Sequence, residues 1–301
     1  APGGTVMVPL TGDGLSPGNL VVEMPAGGAP LDFGMRELAT GTSSATQTVR
    51  VRNTGGAATG ALDVTVTGGG ASSFTIPIES CDGVTLGPNA TCDVQVRFNP
   101  MAVGLQPATV SIRDTVAMTA ASVSASGVGT ARVAVTKTGQ GSITSNPNGI
   151  SCGTGCSTQT QSFAQTPIAV TAAPETGWVF SGWSGSCSGS NPSPVCSLVL
   201  DQGLENVGAL FTQVFVLSVS TTGSGTVTSS SPGILCGNAN TDCTETYPVG
   251  TMVQLNAEPA AGWEVYAWTG TGSSCGLGAR VCTVTMSQAR NVALEFRRTY
   301  T

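Results

Sequence analysis

Apolar and polar residues alternate along the first third of the chain. The segments TVRVR (48–52), LDVTV (62–66) and CDVQVRF (92–98) each place aliphatic or aromatic residues on one face of an extended strand and polar residues on the other. Period-two alternation predicts antiparallel strands with one buried face, and several such strands at short, regular spacing predict a sandwich. We expect the outward arginines, Arg50 and Arg52, on a solvated face rather than in an anion site.

The rest of the chain is an internal duplication. VTKTGQGSITSNPNGISCG (135–153) matches VSTTGSGTVTSSSPGILCG (219–237), and NVGALF (206–211) matches NVALEF (291–296), at an offset of about 84 residues. This pattern predicts four parts, all of them β. They are a terminal strand of a preceding module with a linker (1–28), a sandwich (29–130), a first repeat (131–213), and a second repeat with the start of a following module (214–301).

Composition narrows the function classes. Only 9% of the 301 residues are charged, the net charge is −6, and Lys137 is the single lysine. With no basic patch to neutralise phosphates, nucleic acid and anionic membrane surfaces are not expected as partners. The apolar runs are strand-sized, shorter than the roughly 20 residues that span a bilayer, so membrane insertion is not expected either.

Ten cysteines and no histidine indicate disulfides, and therefore an extracellular or cell-surface location in an oxidising environment. Cysteine separations differ between the two copies within each neighbouring pair, but the distance between the inner cysteines is nearly constant. This favours local pairing, although four cysteines allow three connectivities. The expected pairs are Cys81/Cys92, Cys152/Cys156, Cys187/Cys196, Cys236/Cys243 and Cys275/Cys282.

The sequence offers no catalytic residue, cofactor site or metal-ligand set. Without histidine there is no Ser-His or Cys-His nucleophile pair, and the carboxylates are scattered without calcium-loop spacing. The glycine-rich segments TGQGS (138–142) and TGSGT (222–226) precede predicted strands rather than helices, so we interpret them as hairpin turns and not as phosphate-binding loops. We therefore do not expect an enzyme.

Two families resemble parts of this chain. The first third of the chain resembles the ASH-type, or choice-of-anchor, immunoglobulin-like domain of secreted bacterial proteins. The resemblance lies in LDFG (31–34), VRNTGGA (51–57) and the segment from Cys81 through CDVQVRFNP (92–100). The repeated pattern of glycine-rich turn, GIxCG, tryptophan pair and NVGALF or NVALEF resembles divergent internalin-type B-repeats. The resemblance implies β-grasp-like extracellular domains that act as spacers or adhesive elements, here strung as elongated beads.

All four tryptophans lie in GWVFSGW (177–183) and GWEVYAW (262–268). Residues five apart in a regular strand point to opposite faces, so only one tryptophan of each pair should enter the core. The family resemblance favours the inner ones, Trp183 and Trp268. The outer ones, Trp178 and Trp263, are candidate ligand contacts, with a structural role as the alternative.

The predicted function is a non-catalytic structural or adhesive segment of a bacterial extracellular surface protein or fibre. Its expected partners are flanking modules of a longer chain or other copies of itself, in which case Val6, Val8 and Leu10 form the candidate assembly strand. The alternative is a carbohydrate-binding accessory region of a large secreted enzyme, with surface polysaccharide as the partner.

Overall fold

The regular secondary structure of the described residues is almost entirely β-strand, as predicted. The computed structural model describes residues 7, 9, 12, 14–38, 44–230, 233–270 and 275–299. Over these residues it contains three single-turn 3-10 segments and no α-helix, which confirms the all-β fold class.

The chain forms two compact units. The first comprises Ala1–Ala134, Thr160–Ile168 and Leu198–Glu205, and the second comprises Val135–Gln159, Ala169–Ser197 and Asn206–Thr301.

The first unit contains a two-sheet sandwich. Its strands are β1 (Leu20–Met24), β2 (Leu31–Glu37), β3 (Gln47–Asn53), β4 (Leu62–Thr67), β5 (Phe74–Glu79), β6 (Thr91–Phe98), β7 (Gly104–Asp114) and the beginning of β8 (Ala120–Thr138). One sheet has the order β1-β3-β6-β5, and the other places β2 and β7 beside β8, with β4 beyond β7. The β2–β8 pair is parallel, whereas β7 is antiparallel to β8 and to β4.

The alternating residues of β3 and β6 meet between the two sheets. Val49, Val51, Val94 and Val96 are fully buried in one apolar cluster, as the period-two pattern requires. Rings of Phe33, Phe74 and Phe98 pack against one another in the same cluster, with centroids 5.0–6.1 Å apart.

The second repeat consists of two facing sheets. Its strands after β15 (Leu204–Thr222) are β16 (Gly225–Ser229), β17 (Leu235–Gly237), β18 (Asn240–Asp242), β19 (Thr244–Pro248), β20 (Met252–Pro259), β21 (Trp263–Gly270), β22 (Val281–Thr285) and β23 (Arg290–Arg298). One sheet is the antiparallel series β18-β17-β16-β20-β22, and the other has the order β19-β15-β23-β21. In the latter, β15 and β23 are parallel neighbours. Two parallel central strands are typical of a β-grasp sheet, and a second sheet covers it in place of a helix.

The first repeat has the same strand order, except that its described residues have no counterpart of β18. It uses the end of β8, then β9 (Gly141–Asn146), β10 (Ser151–Cys152), β11 (Thr158–Phe163), β12 (Ile168–Pro174), β13 (Trp178–Gly185), β14 (Val195–Leu198) and the beginning of β15. The series β10-β9-β12-β14 forms one sheet, and β11, β8, β15 and β13 are neighbours in the other. Strand β15 is 19 residues long and serves as the last strand of this copy and the first of the next.

The interpretation of TGQGS and TGSGT as hairpin turns was wrong. Strand β9 does not pair with β8, and β16 does not pair with β15; in each case the two strands belong to different sheets. The turn therefore carries the chain from one sheet to the facing sheet. Sequence pattern identifies a strand on each side of a turn, but not whether those two strands share hydrogen bonds.

Candidate functional site

Both tryptophans of each pair face the core, contrary to the prediction of opposite faces. Trp178 lies opposite Gln213 and Trp183 opposite Ala209, with a register shift between Phe180 and Gly182. Because the two partner positions on β15 are four residues apart, they lie on one face, and so do the tryptophans. The β-bulge inserts one extra residue and cancels the odd spacing. Strand β21 has the same shift between Val265 and Ala267.

The inner tryptophans lie in the core, as predicted. Trp183 is 5% exposed and Trp268 is 7% exposed. Each buried indole N–H has a partner: Trp183 Nε1 donates to the carbonyl oxygen of Ser193 at 3.0 Å, and Trp268 Nε1 donates to that of Ala279 at 2.7 Å. A buried tryptophan with a satisfied N–H contributes apolar area without a desolvation penalty, which fits a structural role.

The outer tryptophans cover the glycine-rich turns. Trp178 is half-buried, and a Cβ added to Gly139 would lie 2.9 Å from its Cζ3 atom. In the second copy, a Cβ on Gly223 would lie 2.8 Å from Cζ3 of Trp263, which is also half-buried. Both glycines have positive φ, +86° and +81°, which side-chain-bearing residues rarely adopt. The outer tryptophans therefore lie against their own turns and leave only part of each ring accessible.

The second glycine of each turn lies under a phenylalanine ring. A Cβ on Gly141 would lie 2.6 Å from the ring of Phe211, and one on Gly225 would lie 2.5 Å from the ring of Phe296. Real Cβ atoms do not approach so closely. The repeated Gly-x-Gly signature is thus explained by packing: the first glycine supplies the turn conformation and the second leaves room for the ring.

The surroundings of the outer tryptophan differ between the copies. In the second, the Arg298 guanidinium lies 5.5 Å from the Trp263 ring centroid, and the Arg297 guanidinium lies 3.1 Å from the Tyr266 ring centroid. Arg297 also donates a hydrogen bond to Glu295 at 2.8 Å, which raises the pKa of the guanidinium. In the first copy the residue opposite the outer tryptophan is the neutral Gln213. An arginine, Arg298, therefore lies beside Trp263, whereas a neutral glutamine lies opposite Trp178.

Each repeat has a shallow groove on the mixed sheet. In the first copy it encloses about 320 Å³, and its lining includes Thr136, Ser184, Asn191 and Gly208. A side chain at Gly208 would collide with Ser184 Oγ, so the glycine keeps the floor of the groove open. A groove of about 370 Å³ lies on the corresponding strands of the second copy, lined by residues that include Ser220. The lining residues carry no charge, so these grooves suit neutral, hydroxyl-bearing ligands better than ions.

The outward arginines of the sandwich pair with carboxylates on neighbouring strands. Arg50 donates two hydrogen bonds to Asp93, at 2.7 and 2.8 Å, and Arg52 lies 2.7 Å from Glu23. The hydrogen bond from Arg50 lowers the pKa of the Asp93 carboxyl below its usual value. All four side chains remain 38–40% exposed. This arrangement is a solvated, charge-paired sheet face, as expected.

Two buried polar residues organise the loops of the sandwich, and sequence reasoning missed both. Asn53, at the end of β3, is fully buried and binds four backbone groups through its side chain. Asp114, at the end of β7, accepts hydrogen bonds from the backbone N–H groups of Gly60, Val116 and Ala117. Burial by itself would raise the pKa of Asp114, but the three hydrogen bonds outweigh it and lower the pKa. The available signal was an Asn or Asp placed where an alternating strand meets a turn.

The ten cysteines form five local disulfides. These are Cys81–Cys92, Cys152–Cys156, Cys187–Cys196, Cys236–Cys243 and Cys275–Cys282. This is the connectivity that the duplication favoured over a crossed arrangement. Each bridge closes a short loop within one domain.

Val6, Val8 and Leu10, the candidate assembly strand, lie outside the described residues. Within the described part of the chain, no group of three or more His, Cys, Asp or Glu side chains is placed to hold a metal ion. Over the same residues, no helix has the length and apolar character needed to cross a membrane.

These features define a modular, disulfide-bonded all-β protein with a duplicated two-sheet domain. The profile of the divergent InlB B-repeat domain matches residues 131–214 and 215–299, so the chain belongs to this family. The repeat family and the five disulfides together indicate a structural module of a bacterial surface protein and an extracellular location.

No curated protein matches the chain. Among solved structures, the secreted serine protease VesC from Vibrio cholerae is similar at 14% identity and a TM-score of 0.27. That match covers 89% of this chain and 49% of the protease, so the chain spans about half of that protein's length.

Proposed function

We propose that this chain is a non-catalytic structural or adhesive segment of a bacterial extracellular surface protein or fibre. The observation that carries the proposal is the tandem repetition of one disulfide-closed β domain, with β15 shared between the two copies. Repeats joined in this way extend a chain over distance, with stability supplied by each domain and its neighbour. The non-catalytic character is supported by a sequence without histidine, in which every described cysteine is in a disulfide.

We assign residues 29–130 to the ASH-type immunoglobulin-like domain. The assignment is supported by its motifs and by the roles of two of them in the sandwich. LDFG lies in β2, which pairs with β8, and the asparagine of VRNTGGA is the buried loop organiser Asn53. Substituting the VRNTGGA motif in another ASH-type domain should therefore disrupt the corresponding loops of that domain. An unperturbed homologue would argue against the assignment.

The first test concerns location. Antibodies raised against residues 131–301 should label intact cells of the source organism under immunogold electron microscopy. Labelling that requires permeabilised cells would contradict the proposal. Adhesion is tested separately, by comparing attachment of cells with and without the segment to a panel of surfaces.

The second test concerns partners. We favour flanking modules of a longer chain over self-assembly through the segment that contains Val6, Val8 and Leu10. Electron microscopy and light scattering of residues 1–301, with and without residues 1–14, distinguish the two. A monodisperse monomer in both cases supports the longer chain. Regular fibres that disappear on trimming support a polymerising subunit and contradict our preference.

Carbohydrate binding is the second candidate function, because both copies carry an uncharged, hydroxyl-lined groove on corresponding strands. In that case the segment would be an accessory region of a large secreted enzyme. Glycan-array binding that decreases in Gly208→Val would support the groove as the site, and binding that decreases in Trp178→Ala or Trp263→Ala would support the exposed part of the outer tryptophan rings, which do not line the grooves. No binding, or binding unchanged in all three variants, would remove it.

A further inference from the structure

We propose that the second repeat bears tension, and that β15 and β23 form a shear clamp that resists forced unfolding. This inference deepens the proposed structural function and rests on it. The first and last strands of the repeat lie side by side and run parallel. Their register runs continuously from Leu217 opposite Arg290 to Thr222 opposite Glu295.

The parallel arrangement determines how a load acts. Tension enters the repeat through β15 at the Leu217 end of the paired segment and leaves through β23 beyond Glu295, at the opposite end of that segment. The two strands are therefore pulled lengthwise past each other, over roughly 17 Å at about 3.3 Å per residue. All hydrogen bonds between them are loaded together. If the two strands were peeled apart from one end, the same bonds would break one after another, each at a low force.

Side-chain packing opposes the sliding of these strands. Leu217 and Val219 on β15, and Val292 and Leu294 on β23, are 0–4% exposed in the core of the repeat. Side chains alternate between faces, so a slip of one residue would turn a buried set toward solvent. The clamp therefore combines interstrand hydrogen bonds with apolar side chains that must leave the core before the strands can move.

The disulfides lie outside the load path. Cys236–Cys243 and Cys275–Cys282 each close a loop with a sequence separation of 7, between β15 and β23. Neither bridge includes a residue of these two strands, so neither relieves the clamp of force. Their mechanical effect comes after the clamp opens, when they shorten the length of chain that is released.

The sandwich contains a second parallel pair, although this pair joins β8 to the second strand of the domain, since β1 precedes β2 and lies in the other sheet. Its β2 is parallel to β8, with Leu31 opposite Ala125 and Glu37 opposite Thr130. Arg132, on the continuation of β8, also forms an ion pair with Glu37. Two unrelated domain types in one chain thus place an early strand beside the last strand in parallel register. In the second unit, β15 continues from one repeat into the next, and no flexible linker intervenes to absorb a load.

Single-molecule force spectroscopy on the whole 301-residue chain tests the clamp by pulling geometry alone. Click-reactive unnatural residues at the exposed positions Val216 and Thr299 would load β15 and β23 in shear. Handles at Val216 and at exposed Gln288, in the turn before β23, would peel the same strands apart. We expect a severalfold higher unfolding force for the first pair. Equal forces in the two geometries would overturn the proposal, and the core sequence is unchanged in both.

A matched pair of variants separates the clamp from general stability. Val219 is in the clamp, whereas Val284 is equally part of the core but lies in β22 of the other sheet. Both Val219→Ala and Val284→Ala should lower the thermal unfolding temperature, but only Val219→Ala should lower the shear force. A shear force that simply follows thermal stability in both variants would contradict the clamp. These measurements do not depend on cellular location, so failure of the surface-labelling test and failure of the clamp are distinguishable.

Discussion

Replacing Asn53 with alanine should selectively destabilise the sandwich. The side chain is fully buried, and its Oδ1 accepts hydrogen bonds from the backbone N–H groups of Asn19 at 3.0 Å and Gly55 at 2.9 Å. Its Nδ2 donates to the carbonyl oxygens of Ala57 at 2.8 Å and Leu86 at 3.0 Å. Asn53→Ala removes all four hydrogen bonds and leaves four backbone groups without these partners.

The magnitude follows from those four bonds. A hydrogen bond contributes about 0.5–1.5 kcal/mol net, and a buried group left unsatisfied costs about 1–3 kcal/mol. The exposed Asn19 end can recover water, so we expect a loss of about 3–5 kcal/mol in the free energy of unfolding. This is a large part of the roughly 5–15 kcal/mol that stabilises a domain. It corresponds to a lower melting temperature by about 15–25 °C for a domain of this size.

The tryptophan distribution provides the assay. All four tryptophans lie in the repeats, so their fluorescence reports unfolding there, whereas calorimetry also detects the sandwich. We expect Asn53→Ala to shift one calorimetric transition downward and to leave the fluorescence transition in place. Asn99→Ala, an exposed asparagine of the same domain, is the matched control and should change neither. A loss below about 1 kcal/mol, or an equal loss in Asn99→Ala, would refute the assignment of Asn53 as the loop organiser.

Three further predictions concern single residues. The Tyr247 hydroxyl is buried without a hydrogen-bond partner among the described residues, and the first copy has Phe163 at the matching position. Tyr247→Phe should therefore leave the free energy of unfolding unchanged or raise it by up to about 1 kcal/mol, measured by urea unfolding followed by fluorescence. A clear loss of stability would reveal a partner for the hydroxyl. Gly225→Ala should lower the free energy of unfolding by about 1–3 kcal/mol in the same assay, because its Cβ meets the Phe296 ring. Gly276→Ala is the control, since Gly276 has open space around it. Equal effects of the two substitutions would contradict the packing argument. The pKa of Asp114 is lowered in the folded state, so its contribution to sandwich stability is present above about pH 4 and is lost as the pH falls through the folded-state pKa. Calorimetry between pH 2 and 7 should show this acid dependence reduced in Asp114→Asn. An unchanged pH profile in that variant would count against the prediction.

Much of the fold could be predicted from local pattern. Period-two alternation identified the buried faces of β3 and β6 because exposure alternates wherever a sheet has one solvated face. The duplication delimited the repeats and favoured the local disulfides, because a loop closed by a bridge can change length without moving the rest of the domain. The candidate site was less predictable. The groove around Gly208 forms only when β8, β13 and β15 come together, and no local signal marks its floor.

The sequence by itself determined the all-β class and the repeated domain, whereas the burial of Trp183 and Trp268 was expected only from the family resemblance. The tertiary structure decided which strands are neighbours and where their register shifts. A single extra residue in β13 and β21 turned Trp178 and Trp263 toward the core, and the bulge carries no distinctive sequence signal. The parallel pairing of β15 with β23 is equally invisible in the sequence. Side-chain alternation specifies which face of a strand is buried, but the neighbour of each strand edge is chosen only when the whole domain packs.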